Sequence, residues 1–161
     1  MLTKTRTAIA TSLAGGVLLV GVGGSMGPGG RAVAQDATGF RCSNATIRGT
    51  YGGQMQGTNP VPGAGIQTVI GVIIRTYDGA GNFTQIDNIK GSITGIVPDR
   101  PGAGTYQVNP DCSGVTLFQP GPGITLEERM VIVDHGREIR SIVSSPLPVM
   151  TTSVQKRIDH R

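Results

Sequence analysis

Ile124-Thr125-Leu126-Glu127-Glu128-Arg129-Met130-Val131-Ile132-Val133-Asp134-His135-Gly136-Arg137-Glu138-Ile139-Arg140-Ser141-Ile142-Val143-Ser144 carries the clearest structural pattern in the chain. Along its first ten residues the even positions Ile124, Leu126, Met130 and Ile132 are apolar, and Thr125, Glu127 and Arg129 between them suit water. Successive side chains of a strand point to opposite faces, so period two of this kind is a half-buried β-strand. Glu128 breaks the apolar set and is therefore expected to point inward. Asp134-His135-Gly136 then reverses the chain, with glycine where a three-residue hairpin turns left-handed, and a second alternating run begins.

The same rhythm runs outward from this hairpin. Short runs of β-branched and aromatic residues recur about every ten residues between clusters of Gly, Pro, Asn and Asp, the pattern of an antiparallel sheet. Strands are expected over 46–56, 66–77, 83–89, 92–97, 105–108, 115–118, 124–134, 138–144 and 149–156, with no helix. Asp78-Gly79-Ala80-Gly81-Asn82 reads as a tight hairpin. Pro101-Gly102, Asn109-Pro110-Asp111 and Gln119-Pro120-Gly121-Pro122-Gly123 read as loops, because proline cannot donate to a continuing ladder. The run 66–77 is apolar on nearly both faces and is expected to lie centrally or beneath a covering segment. In the first strand Ile47, Tyr51 and Met55 share one face with Gly49 and Gly53, which leave room for a bend or for a neighbour's ring. The fold class is all-β, either a sandwich or a single antiparallel barrel of about eight or nine strands. The barrel is favoured, since long strands with interior glycines curve and closure removes exposed edges.

Residues 1–34 read as a signal peptide and 35–161 as the single β-barrel domain. Lys4 and Arg6 precede an apolar stretch too short and glycine-rich to anchor in a bilayer, and Ala32-Val33-Ala34 is a small-x-small cleavage pattern that would leave Gln35 first. Removing Lys4, Arg6 and Arg31 leaves 11 basic against 10 acidic residues, so the excess of 4 positive charges in the whole chain falls to 1. That near-neutrality, with no basic stripe interleaved with aromatics, argues against a nucleic-acid partner, and no membrane span is expected after cleavage. A secreted or periplasmic location follows.

Cys42 and Cys112 are the only cysteines. In an oxidising compartment they are expected to form one disulfide, the alternative being two buried thiols. There is no C-x-x-C, so neither a metal site nor a cofactor is expected.

Catalytic signatures are missing. His135 at a hairpin tip and the penultimate His160 are the only imidazoles, and there is no G-x-S-x-G, H-E-x-x-H or phosphate-binding loop, so no catalytic residue is assigned. Glu127 and Glu128 face opposite sides of one strand and cannot act as a carboxylate pair. What stands out is Glu128 on an apolar face, with Tyr51, Tyr106 and Arg140 as candidate companions in a ligand-binding site. A buried carboxylate requires a charged or hydrogen-bonding partner, and one with a raised pKa could also serve acid–base chemistry.

Cys42-Ser43-Asn44-Ala45-Thr46-Ile47-Arg48-Gly49-Thr50-Tyr51-Gly52, Tyr77-Asp78-Gly79-Ala80-Gly81-Asn82 and Gly104-Thr105-Tyr106-Gln107-Val108-Asn109-Pro110-Asp111-Cys112-Ser113-Gly114 together resemble a group of small secreted bacterial proteins of uncharacterised function. The resemblance implies a lipocalin-like or allene-oxide-cyclase-like β-barrel with its two cysteines bridged, and brings no catalytic residues. Gly53 departs from the bulky residue expected there, which would enlarge the interior. The functions these readings favour are, first, a non-enzymatic secreted barrel that binds a small apolar ligand. The alternatives are a cyclase- or isomerase-like enzyme working in the lumen and a structural envelope protein with a filled interior.

Overall fold

The computed structural model describes residues 39–159, and the expected signal peptide and cleavage site lie outside them. A 3-10 turn, Asn44–Ile47, leads into eight strands: β1 Gly49–Val61, β2 Gly65–Tyr77, β3 Asn82–Gly91, β4 Gly95–Val108, β5 Ser113–Gly121, β6 Ile124–Val133, β7 Glu138–Ser145 and β8 Met150–Arg157. Each strand pairs antiparallel with the next, and β8 returns to β1, closing the barrel. Closure gives every strand a partner on both sides over at least part of its length, so no strand is left as a wholly open edge at which another chain could add.

Eight strands stand where nine runs were expected, because 92–97 and 105–108 belong largely to one strand, β4. Pro98 and Pro101, the second expected in a loop, are both accommodated inside it. Pro98 falls in a bulge where three steps along β4, Val97 to Arg100, oppose two along β3, Asp87 to Ile89. Asp99 in that bulge takes a left-handed φ of 46°, and its N–H donates to Asn88 Oδ1 at 3.2 Å. Pro101 lies beyond the point, Ala103 opposite Gln119, at which the ladder between β4 and β5 ends. A missing N–H is tolerated where pairing has already lapsed.

The run 66–77 is not covered. Ile66, Ile70, Val72 and Ile74 point outward and are more than half exposed. A closed barrel has one interior, so only one face of any strand can enter it.

The interior is layered along the barrel axis. At the end holding the 3-10 turn, Ile47, Tyr51, Tyr77, Phe83, Tyr106, Ile132 and Ile139 form a packed core. Tyr77 meets Tyr51 and Tyr106 edge-on, with ring centroids 5.5 and 5.0 Å apart, the favoured aromatic geometry. Inward glycines of β4 make this possible: a Cβ on Gly102 would strike the Phe118 ring, and one on Gly104 would strike Phe83. Gly53 does not enlarge the interior, because Gln155 of β8 occupies the space its side chain would take. The Cys42–Cys112 disulfide, with Cα atoms 5.0 Å apart, ties the segment before the turn to the β4–β5 connection and seals this end.

Candidate functional site

Above the packed end, the inward positions become polar, and cross-strand register brings them together in pairs. On β2 the inward set Ile73, Arg75, Tyr77 places Arg75 opposite Gln85 of β3, whose Oε1 accepts from Arg75 Nε at 2.6 Å. Two residues on, Asp87 faces Arg100 of β4, and its carboxylate accepts from Nε and Nη2 at 2.9 and 3.0 Å. Thr116 of β5 lies opposite Glu128 of β6 and donates to it at 2.7 Å. Ser141 and Ser153 complete the ring, 2.9 Å apart.

Arg75 and Glu128 join across the lumen. Nη1 donates to Glu128 Oε2 at 2.8 Å and Nη2 to Oε1 at 3.4 Å. The Arg75 guanidinium lies 4.3 Å from the Phe83 ring centroid, a cation–π contact. Burial disfavours the charged form of Glu128, but the adjacent Arg75 and the hydrogen bonds from Arg75 and Thr116 outweigh it and hold the carboxyl below the usual glutamate range. This is opposite to the raised pKa that acid catalysis at Glu128 would need. Burial also works against Arg75's charge, but Glu128 and Tyr77 push its pKa up.

Beyond this polar layer the barrel is hollow. A cavity of about 470 Å³ opens at the end away from the disulfide, walled by Met55, Val69, Ile89, Val97, Ile124 and Leu126 among others, with Arg100 in its lining. Arg100 also lines a small void of about 40 Å³ bordered by Arg75, Gln85 and Glu128. The barrel is therefore a cup with apolar walls over a charged floor. Asn59 Oδ1, in the cup's lining, is buried without a hydrogen-bond partner.

Of the four residues singled out from sequence, none lines the cup itself, and only Glu128 borders the small void beneath it. Tyr51 and Tyr106 belong to the sealed end. The Tyr51 hydroxyl donates to the Gly136 carbonyl and accepts from Arg157 Nη2 at 2.7 Å. That of Tyr106 donates to the Asn44 carbonyl at 3.2 Å and accepts from Gly79 N at 2.9 Å. Arg140 lies on the outer surface, where Nε donates to Glu138 Oε1 at 2.6 Å. The partner of Glu128 is Arg75. Sequence reasoning missed Arg75, Gln85, Asp87 and Arg100; the signal that could have found the first three is their shared parity with Tyr77 and Phe83, whose rings are buried.

No family model matches the sequence, and no curated protein matches it significantly. Among solved structures, the chain is similar to Rv2717c from M. tuberculosis at 13% identity, covering 71% of this chain and 94% of that one, with a TM-score of 0.37. No helix among the described residues is long and apolar enough to cross a membrane.

Proposed function

We propose that this is a secreted small barrel that binds a small, largely apolar ligand in its open cup. The supporting observation is the cavity of about 470 Å³. It lies within the range of about 300–1,000 Å³ of small-molecule sites, which pair apolar walls with a few fixed polar groups. The structural-envelope reading expects a filled interior, and only the sealed half of this barrel is filled. The cyclase- or isomerase-like reading has less support, because Glu128 is locked in an ion pair and held ionised. The expected export signal and the Cys42–Cys112 bridge favour secretion.

The test is titration with N-phenyl-1-naphthylamine, a dye that brightens in apolar surroundings. The wild type should give saturable 1:1 enhancement. Leu126→Trp, which places an indole in the cup, should abolish it while the circular dichroism stays that of the barrel. The chain has no native tryptophan, so the new indole also reports directly on the cup. Unsaturable binding, or binding indifferent to Leu126→Trp, would remove the ligand reading. Mass spectrometry of the exported protein should show Gln35 at its N-terminus, and any other start would displace the assigned cleavage site.

A further inference from the structure

The two arginines of the floor differ in what they have left to offer. Arg75 is nearly spent, with four of its five donors used: Nε bonds Gln85, both terminal nitrogens bond Glu128, and Nη1 also reaches the Tyr77 hydroxyl at 3.4 Å. Its side chain is only 2% exposed. Arg100 is not spent. Its bonds to Asp87 use the side edge of the guanidinium, Nε with one hydrogen of Nη2. The end edge, Nη1 with the second hydrogen of Nη2, has no partner among the described residues, and the side chain is 31% exposed in the lining of the cup. A guanidinium carries five N–H donors, and each planar edge matches the two oxygens of a carboxylate.

The acidic groups of the floor offer a ligand much less. Glu128 accepts from Arg75 twice and from Thr116, while Asp87 accepts from Arg100 twice and from Gln85 Nε2 at 2.7 Å. Asp87 is fully buried beneath Arg100. What the floor turns toward the apolar cup is therefore a pair of donors on a fixed cation.

We infer that Arg100 is the headgroup anchor of the cup, and that the ligand is an amphiphile whose carboxylate docks end-on against the Arg100 guanidinium while its hydrocarbon body lies along the apolar walls. This rests on the cup being the binding site, and it names the ligand's chemical class. Asp87, reinforced by Gln85, is a positioning residue: it holds the guanidinium by one edge so that the other faces the opening. A charge-assisted hydrogen bond is about twice as strong as a neutral one, so the headgroup should discriminate.

The experiment is calorimetric titration of the wild type with dodecanoate, dodecanol and dodecylammonium below their critical micelle concentrations. These ligands share a tail and differ in the head. Dodecanoate should bind about tenfold tighter than dodecanol, the scale of hydrogen bonds to a charged group. Dodecylammonium should bind weakest, since its charge meets the Arg100 cation and the floor's carboxylates are already paired, leaving it only the neutral Asn59 Oδ1 as a free acceptor. Arg100→Met alone would strand the buried Asp87 carboxylate, so the variant is the neutral pair Asp87→Asn with Arg100→Met. There dodecanoate should fall to the affinity of dodecanol, and dodecanol should be unchanged. Equal wild-type affinities for dodecanoate and dodecanol would overturn the anchor and leave the apolar cup standing, whereas absence of binding by all three would overturn both. The wild-type comparison decides even if the double variant fails to fold. If it folds, dodecanoate retaining its advantage would also refute the anchor.

Discussion

Arg75 and Glu128 lie 53 residues apart in sequence and meet at 2.8 Å across the full width of the barrel. In a closed ring of eight strands, β2 and β6 stand opposite one another, so this contact is a crossbar rather than a neighbour interaction. Removing one partner of a buried pair leaves an uncompensated charge, which costs about 3–5 kcal/mol, while replacing both by apolar groups is often neutral or favourable. Glu128→Gln and Arg75→Met are each expected to lower the unfolding free energy by that amount in urea titrations. The double variant Arg75→Met with Glu128→Leu should recover most of the loss. Because the Glu128 carboxyl is held below its ordinary value of 4.5, its contribution is present above that pH and lost as the pH falls below it.

All three tyrosines of the chain occupy the sealed half, and all three phenols are shifted upward, in each case chiefly by burial. Tyr51 is pushed from 10.0 to about 12, with Arg157 partly opposing the effect. A raised phenol favours the folded state up to its unfolded value, and this contribution disappears as the pH rises from about 10 toward 12. Absorbance near 295 nm should therefore show little tyrosinate at pH 10.5 and then rise together with alkaline unfolding. Early ionisation of one tyrosine would place that ring outside the core described here.

The β2–β3 hairpin depends on Asp78. Its Oδ1 accepts from the backbone N–H groups of Ala80, Gly81 and Asn82, at 2.7, 2.9 and 2.9 Å, and Oδ2 accepts from Asn82 Nδ2 at 2.9 Å. The Asn82 side chain and these backbone donors lower the Asp78 pKa from 3.8 to about 2. Its stabilising effect is thus complete above pH 3.8 and fades as the pH falls to about 2. NMR titration of the carboxyl carbon should give a midpoint near 2 for Asp78, and Asp78→Ala should flatten the acid limb of the stability curve.

Period two showed which face a side chain takes and was silent on how far along the barrel it sits. Glu128 was legible as inward because Glu127 and Arg129 beside it are plainly outward. Arg75 was hidden because the outward Ile70, Val72 and Ile74 made β2 look apolar on both faces. Tyr51 and Tyr106 do point inward, but their height in the sealed end follows from strand stagger. Arg140 turns outward because the β6–β7 register pairs Ile132 with Ile139, so the odd residues of β7 share the face of the even residues of β6. The fourth and fifth expected strands, 92–97 and 105–108, merge into β4 through the bulge at Asp99, which no propensity encodes.

The Cys42–Cys112 bridge spans 70 residues, and closing such a loop stabilises by roughly 4 kcal/mol in the chain-entropy model. Cys42→Ala with Cys112→Ala should lower the unfolding free energy on that scale. Dye affinity should survive, since the bridge lies at the end of the barrel away from the cup. Loss of dye binding in a variant that remains folded would mean that the two ends communicate.

The ladder between β4 and β5 begins at Val108 opposite Gly114 and stops at Ala103 opposite Gln119, so the upper length of β4, which carries Arg100, is fastened on the β3 side alone. The stave that bears the anchoring cation is thus also the one whose far side is unstitched. Any widening of the cup's mouth would begin at that gap, where no backbone ladder has to break.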